Sequence, residues 1–153
     1  MGVGKGQSAV SRTASSGTGN GARALADTLR RFELALERGS LPEIRACFHE
    51  DAVIESVASD SYPLGPDATA RADAAAIEDG VYMIYGWQHE ELEPEVVLSI
   101  SRARHRAGGG AIRDETVYRL ISGRDGLMWR VKLFRSRDDA IAHLERHGPG
   151  LAL

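Results

Sequence analysis

The chain has 153 residues, of which 42% are apolar and 27% are charged, and its formal net charge is −3. This composition is typical of a single globular domain, and 19 Lys and Arg balanced by 22 Asp and Glu argue against nucleic acid as a partner. No apolar run approaches the ~18 residues of a membrane span, and no charged-then-apolar signal pattern opens the chain, so we expect no membrane partner and a cytoplasmic protein.

The single cysteine, Cys47, excludes a disulfide within the chain. Its apolar neighbours Ile44, Ala46 and Phe48 favour a small buried side chain over a nucleophile. No pair of His or Cys residues has the spacing of a zinc site, so the sequence predicts no metal and no cofactor.

Composition divides the chain into three parts. Residues 1–20 are rich in Gly, Ser, Thr and Ala and cannot bury enough apolar surface to order themselves, so they are predicted to form a disordered tail. Residues 21–148 are predicted to form one domain, and residues 149–153 a short C-terminal tail.

Helical periodicity opens the domain. A helix from near Gly21 to Gly39 is indicated by one apolar stripe, formed by Leu25, Leu29, Phe32 and Leu36. Ser40 and Glu43 predict a capping box for a short second helix ending near Phe48. A third, Ala-rich helix is predicted from Pro66 to Asp79-Gly80.

The remainder is predicted to form strands and one last helix. The predicted strands are 52–58, 82–92, 96–106, 112–121 and 127–134, and Ser136 caps a helix that Gly148 ends. Short connections between the later strands predict an antiparallel meander. The fold class is therefore α+β: a conical roll in which a curved antiparallel sheet packs against about three N-terminal helices and a short C-terminal helix.

From Ala22 to His147 this pattern resembles the nuclear transport factor 2-like superfamily, in particular its SnoaL-like domains. The segments that carry the resemblance are Gly39-Ser40, Phe48-His49-Glu50-Asp51-Ala52, Gly65, Asp125-Gly126, Phe134 and Arg137-Asp138-Asp139-Ala140. The resemblance implies a central, mostly apolar cavity and a homodimer formed through the outer sheet face. The superfamily includes ketosteroid isomerase, limonene epoxide hydrolase and polyketide cyclases, so the fold alone does not decide the function.

Strand alternation predicts which side chains enter that cavity. On residues 112–120 we expect the even positions, including Asp114, to face inward and the odd positions, including Arg119, to face solvent. On the last strand Leu127, Trp129, Val131 and Leu133 are expected inside, and Met128, Arg130 and Lys132 outside.

Asp114 and His89 are the candidate catalytic residues. A carboxyl group among apolar side chains would have a raised pKa suited to proton transfer, and His89 could share the proton. Asp114 could equally lie near the hairpin end and pair with an arginine, and His89 could be a solvated strand residue. The candidate pocket-lining residues are Phe32, Ser56, Trp87, Thr116, Tyr118 and Trp129, although the aromatic members could simply belong to the core.

Two known chemistries of the superfamily, those of ketosteroid isomerase and of limonene epoxide hydrolase, do not fit this sequence, whereas a cyclase-like proton transfer needs only one Asp or His. Ser56, Phe32 and Thr116 occupy the positions of the three ketosteroid isomerase groups, and none of them supplies the required function. Lys132 stands where an epoxide hydrolase would need its second acid, and Arg113 and Asp114 point to opposite faces. Whether the protein is an enzyme is left open.

Three hypotheses remain. The leading one is a protein that binds a small hydrophobic molecule without catalysis. The second is a SnoaL-like cyclase or isomerase that uses Asp114 with His89. The third is an association module whose sheet mediates oligomerisation.

Overall fold

A computed structural model describes residues 12–57, 63–80, 82–106 and 110–149, with side chains from residue 20 onward. The elements of this part, in chain order, are α1 (Arg12–Arg38), α2 (Leu41–Ala46), β1 (Phe48–Ser56), α3 (Pro66–Glu78), β2 (Tyr82–Glu93), β3 (Val96–Arg106), β4 (Ile112–Arg124), β5 (Leu127–Phe134) and α4 (Arg137–His147). Among these residues no helix combines the length and the apolar character needed to cross a membrane.

The predicted helices are present, and two of them begin with the predicted caps. The Ser40 side chain accepts a hydrogen bond from the Glu43 backbone N–H, and Ser136 does the same for Asp139. Because the caps satisfy N–H groups that a helix leaves unpaired, the helices start where the sequence indicates. Helix α1, however, begins upstream of Gly21, at Arg12. The disorder predicted for residues 1–20 is untested over residues 1–11, which lie outside the described residues, as does most of the predicted tail 149–153.

The strands form one sheet in the order β1-β5-β4-β3-β2. Strands β2 to β5 form the predicted antiparallel meander, but β1 pairs with β5 in parallel, so the sheet is mixed rather than purely antiparallel. Strand β1 also begins earlier than expected, at Phe48. The α+β class is confirmed.

Two apolar clusters pack on opposite faces of the sheet. The larger lies between the inner face and helices α1 to α3, and it includes the predicted α1 stripe, whose four members are at most 3% exposed. The smaller lies between the outer face and α4, and its buried members are Val96, Leu98, Leu120, Phe134, Ala140 and Leu144. Both faces of the sheet are therefore apolar where a helix covers them.

Candidate functional site: a chamber with a buried arginine and an aspartate

The inner face of the sheet and helix α3 enclose a small chamber of about 50 Å³. Its wall is mostly apolar and includes three ionisable side chains. The lining residues are Phe32, Phe48, Ile54, Thr69, Asp73, Tyr82, Arg119, Met128, Val131 and Leu133.

A second, wider pocket of about 520 Å³ adjoins the chamber and shares Tyr82 and Leu133 with it. The other residues that line this outer pocket are Ser56, Ala103, His105, Glu115, Thr116, Val117, Phe134 and Arg135. The His105 Nε2 lies 2.8 Å from the Glu115 Oε2, so these two side chains form a polar contact in the wall of the outer pocket. The two spaces are therefore neighbours on the inner side of the fold, one wide and one narrow.

Helix α3 supplies Asp73. Thr69 and Asp73 are four residues apart, so their side chains lie on one face of the helix, which packs against the sheet. Burial raises the pKa of the Asp73 carboxyl to about 6, and the positive charge of Arg119 opposes that rise. Desolvation dominates because the ionised form loses more hydration than one arginine returns.

Strand β4 supplies Arg119, which is only 7% exposed. Its Nη1 donates a hydrogen bond of 3.0 Å to Ser101 Oγ, and its guanidinium carbon lies 5.3 Å from the centre of the Trp87 ring. Ser101 itself is 1% exposed. A serine and an indole thus fix the direction of the guanidinium, which is pre-organised toward the chamber.

Asp114 lies on the opposite face of the sheet, and its predicted inward orientation is wrong. Its carboxylate accepts a 2.8 Å hydrogen bond from the Tyr85 hydroxyl and pairs with Arg104 at 3.3 Å. These contacts lower the pKa of Asp114, with the Tyr85 hydrogen bond as the largest cause, whereas the sequence analysis expected a raised pKa. The even positions of β4 include Leu120, whose apolar side chain suggested an inward face. Leu120 is indeed buried, but on the outer face of the sheet, where α4 covers it.

His89 lies on the inner side of the sheet, away from Asp114. Its Nδ1 is 2.7 Å from Ser99 Oγ and its Nε2 is 2.6 Å from Glu33 Oε2, so it links α1 to the sheet. Ser99 is fully buried and His89 lines neither of these two pockets, so the trio is not part of the candidate site. The expected Asp114–His89 pair does not form.

The six predicted pocket residues separate into three groups. Phe32 lines the chamber, and Ser56 and Thr116 line the outer pocket. Trp87 does not line the chamber itself, but its ring contacts two residues that do, Phe32 and Arg119.

Tyr118 and Trp129 line neither space. Tyr118 packs against the outer cluster. Two arginine side chains lie over the Trp129 ring, with the Arg124 and Arg130 guanidinium carbons 3.7 Å and 4.2 Å from its centre. The register shift between β4 and β5 displaces Trp129 and turns Met128 inward, the reverse of the prediction for both residues.

Asp73 and Arg119 are the residues that the sequence analysis missed. The sequence contains a signal for each of these two residues. Arg119 alternates with the buried Val117 and Ile121 on one face of β4, and Asp73 follows the buried Thr69 by one helical turn. A charged side chain at an apolar position of such a pattern indicates a functional role or a buried partner.

Cys47 is buried as predicted. It is 2% exposed, and burial raises the pKa of its thiol to about 11, so the thiolate is scarce at neutral pH.

The same architecture occurs in solved structures. TerC, co-crystallised with polyporic acid, is 12% identical and superposes with a TM-score of 0.61 over 80% of this chain and 98% of its own. A protein from Xanthomonas campestris that is provisionally assigned as a polyketide cyclase is 16% identical. It superposes with a TM-score of 0.57 over 80% of this chain and 97% of its own. An epoxide hydrolase of the LEH-like type from M. tuberculosis is 16% identical, with a TM-score of 0.58 over 81% and 91% of the two chains.

The chain has the nuclear transport factor 2-like fold. The fold that the resemblance implied is thereby confirmed. No family model and no curated protein matches the sequence. At these identities the likeness establishes the fold alone, and the chemistry rests on the site.

Proposed function

We propose that this protein binds a small molecule across the chamber and the outer pocket and transfers a proton on it, as SnoaL-like cyclases and isomerases do. Asp73 takes the role that the sequence analysis gave to Asp114. The observation that carries the proposal is a carboxyl group whose pKa of about 6 lies close to neutral pH, in the same chamber as a buried arginine. A general acid–base group works best when its pKa is near the working pH.

The two side chains fit proton abstraction next to a carbonyl group. The ionised Asp73 carboxylate would accept the proton from a carbon α to the carbonyl, and the C–H electron pair would move to form an enolate. Arg119, held by Ser101, would stabilise the negative oxygen. In an isomerisation the enolate would be conjugated with a carbon–carbon double bond, and the protonated Asp73 would return the proton to the γ carbon. In a cyclisation the enolate carbon would instead attack a second carbonyl group of the same molecule, and the protonated Asp73 would give its proton to the resulting alkoxide.

The solved structures support a ligand-binding use of this fold. TerC was co-crystallised with polyporic acid, and the X. campestris protein is provisionally assigned as a polyketide cyclase. Pocket size adds a constraint, because the outer pocket of about 520 Å³ can hold a drug-sized body while the chamber of about 50 Å³ cannot. The reacting atoms would therefore lie where the two spaces meet.

Hydrogen–deuterium exchange tests the proton transfer without knowledge of the net reaction. Cyclic ketones and 1,3-diketones are incubated with the protein in D₂O, and NMR follows the loss of the proton next to the carbonyl. We expect the protein to accelerate exchange for at least one compound, Asp73→Asn to abolish the acceleration, and Glu78→Gln, at an exposed position of the same helix, to preserve it. Acceleration that survives in Asp73→Asn would refute the assignment, and binding without acceleration would favour the non-catalytic hypothesis.

A further inference from the structure

The Arg119 guanidinium is a buried cation, and no carboxylate among the described residues lies within salt-bridge distance of it. It is 7% exposed, and the hydrogen bond to Ser101 occupies one of its five N–H donors. Within the described residues no carboxylate forms an ion pair with it, whereas Arg104 and Arg137 at the surface each have one. Burying an unpaired charge is costly unless a ligand completes its interactions.

Asp73 does not fill that role. It lines the chamber with Arg119, but the part of the chain that the structure describes contains no salt bridge between them, and burial holds the pKa of Asp73 near 6. Part of the Asp73 population is therefore neutral near pH 7. The other ionisable wall residue is Tyr82 of β2, and the wall residues from α1, β1 and β5 are apolar, so the chamber is cationic when Asp73 is protonated.

The dimensions of the two spaces indicate how a ligand would be divided between them. A chamber of about 50 Å³ has room for a head group of a few atoms but not for a ring. The outer pocket of about 520 Å³ has room for a ring system, and Tyr82 and Leu133 belong to the walls of both spaces. A ligand that uses both therefore has a small head and a larger body.

We propose that the natural ligand carries a carboxylate or similar singly charged anionic head, which binds Arg119 in the chamber, on an apolar or aromatic body that fills the outer pocket. This inference rests on the proposed function for the location of the site, and it names the class of compound that the site accepts. A guanidinium forms paired, charge-assisted hydrogen bonds with a carboxylate, which would use two of the four Arg119 donors that Ser101 does not occupy. The other two would remain for the enolate oxygen of the proposed reaction.

Binding should be linked to the protonation of Asp73. Above pH ~6 the Asp73 carboxylate repels the ligand's anion, and below it this repulsion is lost. A carboxylate ligand with an ordinary pKa of about 4 stays largely ionised at pH ~5.5. Its affinity should therefore rise as the pH falls from ~8 to ~5.5. The outer pocket also contains the ionisable residues His105, Glu115 and Arg135, so a variant of His105 serves as a control.

The test uses matched acid and amide probes on the full chain. Acetate, benzoate, phenylacetate and 3-phenylpropionate are each compared with the corresponding neutral amide by isothermal titration calorimetry. We expect at least one acid to bind about tenfold or more tightly than its amide, which corresponds to one charge-assisted contact. Arg119→Met should abolish this preference and Arg119→Lys should restore part of it, with circular dichroism confirming that both variants fold.

The pH arm separates this inference from the proposed function. Asp73→Asn should bind the acid at least as tightly as the unaltered protein and lose the pH dependence, while His105→Asn should keep it. A protein that prefers acids but does not accelerate exchange would refute the proposed function and leave this inference standing. A protein that accelerates exchange but binds acids and amides equally would do the opposite. Equal binding of every acid and its amide, or a preference for acids that persists in Arg119→Met, would overturn the inference.

Discussion

Burial of the Asp73 carboxyl links stability to pH. Its folded pKa of about 6 lies above the ordinary value of 3.8, so the folded protein binds the proton more tightly than the unfolded chain does. Stability contributed by this proton is complete below the unfolded pKa of 3.8, falls as the pH rises, and is lost above about 6. At neutral pH the ionised Asp73 therefore destabilises the fold.

We expect Asp73→Asn to stabilise the protein at pH ~8 by about 1–2 kcal/mol, less than the full shift implies because the side chain is partly exposed. The gain should disappear below pH ~4, where the aspartate is protonated in both states. Urea unfolding at several pH values measures this. Glu78→Gln should show no comparable gain, and a destabilised Asp73→Asn at pH ~8 would contradict the account.

Arg119 limits how far burial raises the pKa of Asp73. Its positive charge favours the Asp73 carboxylate, so Arg119→Met should raise the pKa of Asp73 above the present value of about 6. Carbon-13 NMR of the Asp73 carboxyl carbon reports the titration directly. Arg71→Met removes a charge on the exposed side of the same helix and should leave the pKa in place. An unchanged pKa in Arg119→Met would mean that the two groups do not interact.

At the scale of elements, the β4–β5 turn is built against helix α1. Gly126 has a φ of 75°, and a Cβ at this position would lie 2.8 Å from the Ala24 Cβ. The Gly126 carbonyl also accepts a 2.5 Å hydrogen bond from Thr28. The turn can approach the helix this closely only because residue 126 has no side chain.

Gly126→Ala should therefore cost about 2–4 kcal/mol in unfolding free energy, from an unfavourable φ and an overlap. Gly80→Ala is the matched control, since Gly80 has a φ of 71° and nothing within 4 Å of the added Cβ. It should cost only the ~1–2 kcal/mol of the backbone term. Equal losses, measured by denaturant unfolding, would show that the approach to Ala24 is not limiting.

Element positions were predictable because their signals are local. Ser40, Ser136 and Gly148 mark helix ends through contacts within a few residues, and most observed boundaries agree with them. Strand faces were less predictable. Leu120 suggested an inward even face on β4, but α4 buries it from the other side, and only the tertiary position of α4 reveals this. On β5 a register shift breaks the alternation on which the assignment of Met128 depended.

At the scale of the whole molecule, the site depends on contacts between distant segments. The fold class followed from element order, whereas Asp73 and Arg119 come from a helix and a strand that meet only in the folded chain. Each could have been noticed alone, as a charge in an apolar pattern. That the two side chains line one chamber could not be predicted, because the sequence does not indicate which strands α3 packs against.

The outer face of the sheet has an uncovered end. Helix α4 covers the half that contains Leu98 and Leu120, but beyond it Met83 and Ile112 are 53% and 62% exposed. Met83 pairs with Arg104 and Ile112 with Arg106, so the two apolar side chains flank β3 at the same end of the sheet. Exposed apolar side chains gathered at one place are typical of an interface.

We expect two copies of the chain to associate through this end of the sheet. Native mass spectrometry and sedimentation should then detect a dimer, and Met83→Lys combined with Ile112→Lys should shift it toward monomer, because each change would bury a charge in the interface. Leu34→Lys is the matched control, since Leu34 is 49% exposed but lies on α1, away from the outer face. If only Leu34→Lys dissociated the dimer, the interface would lie on the helices instead. A monomer in the unaltered protein would refute the expectation, and the chamber would then be a site built by one chain.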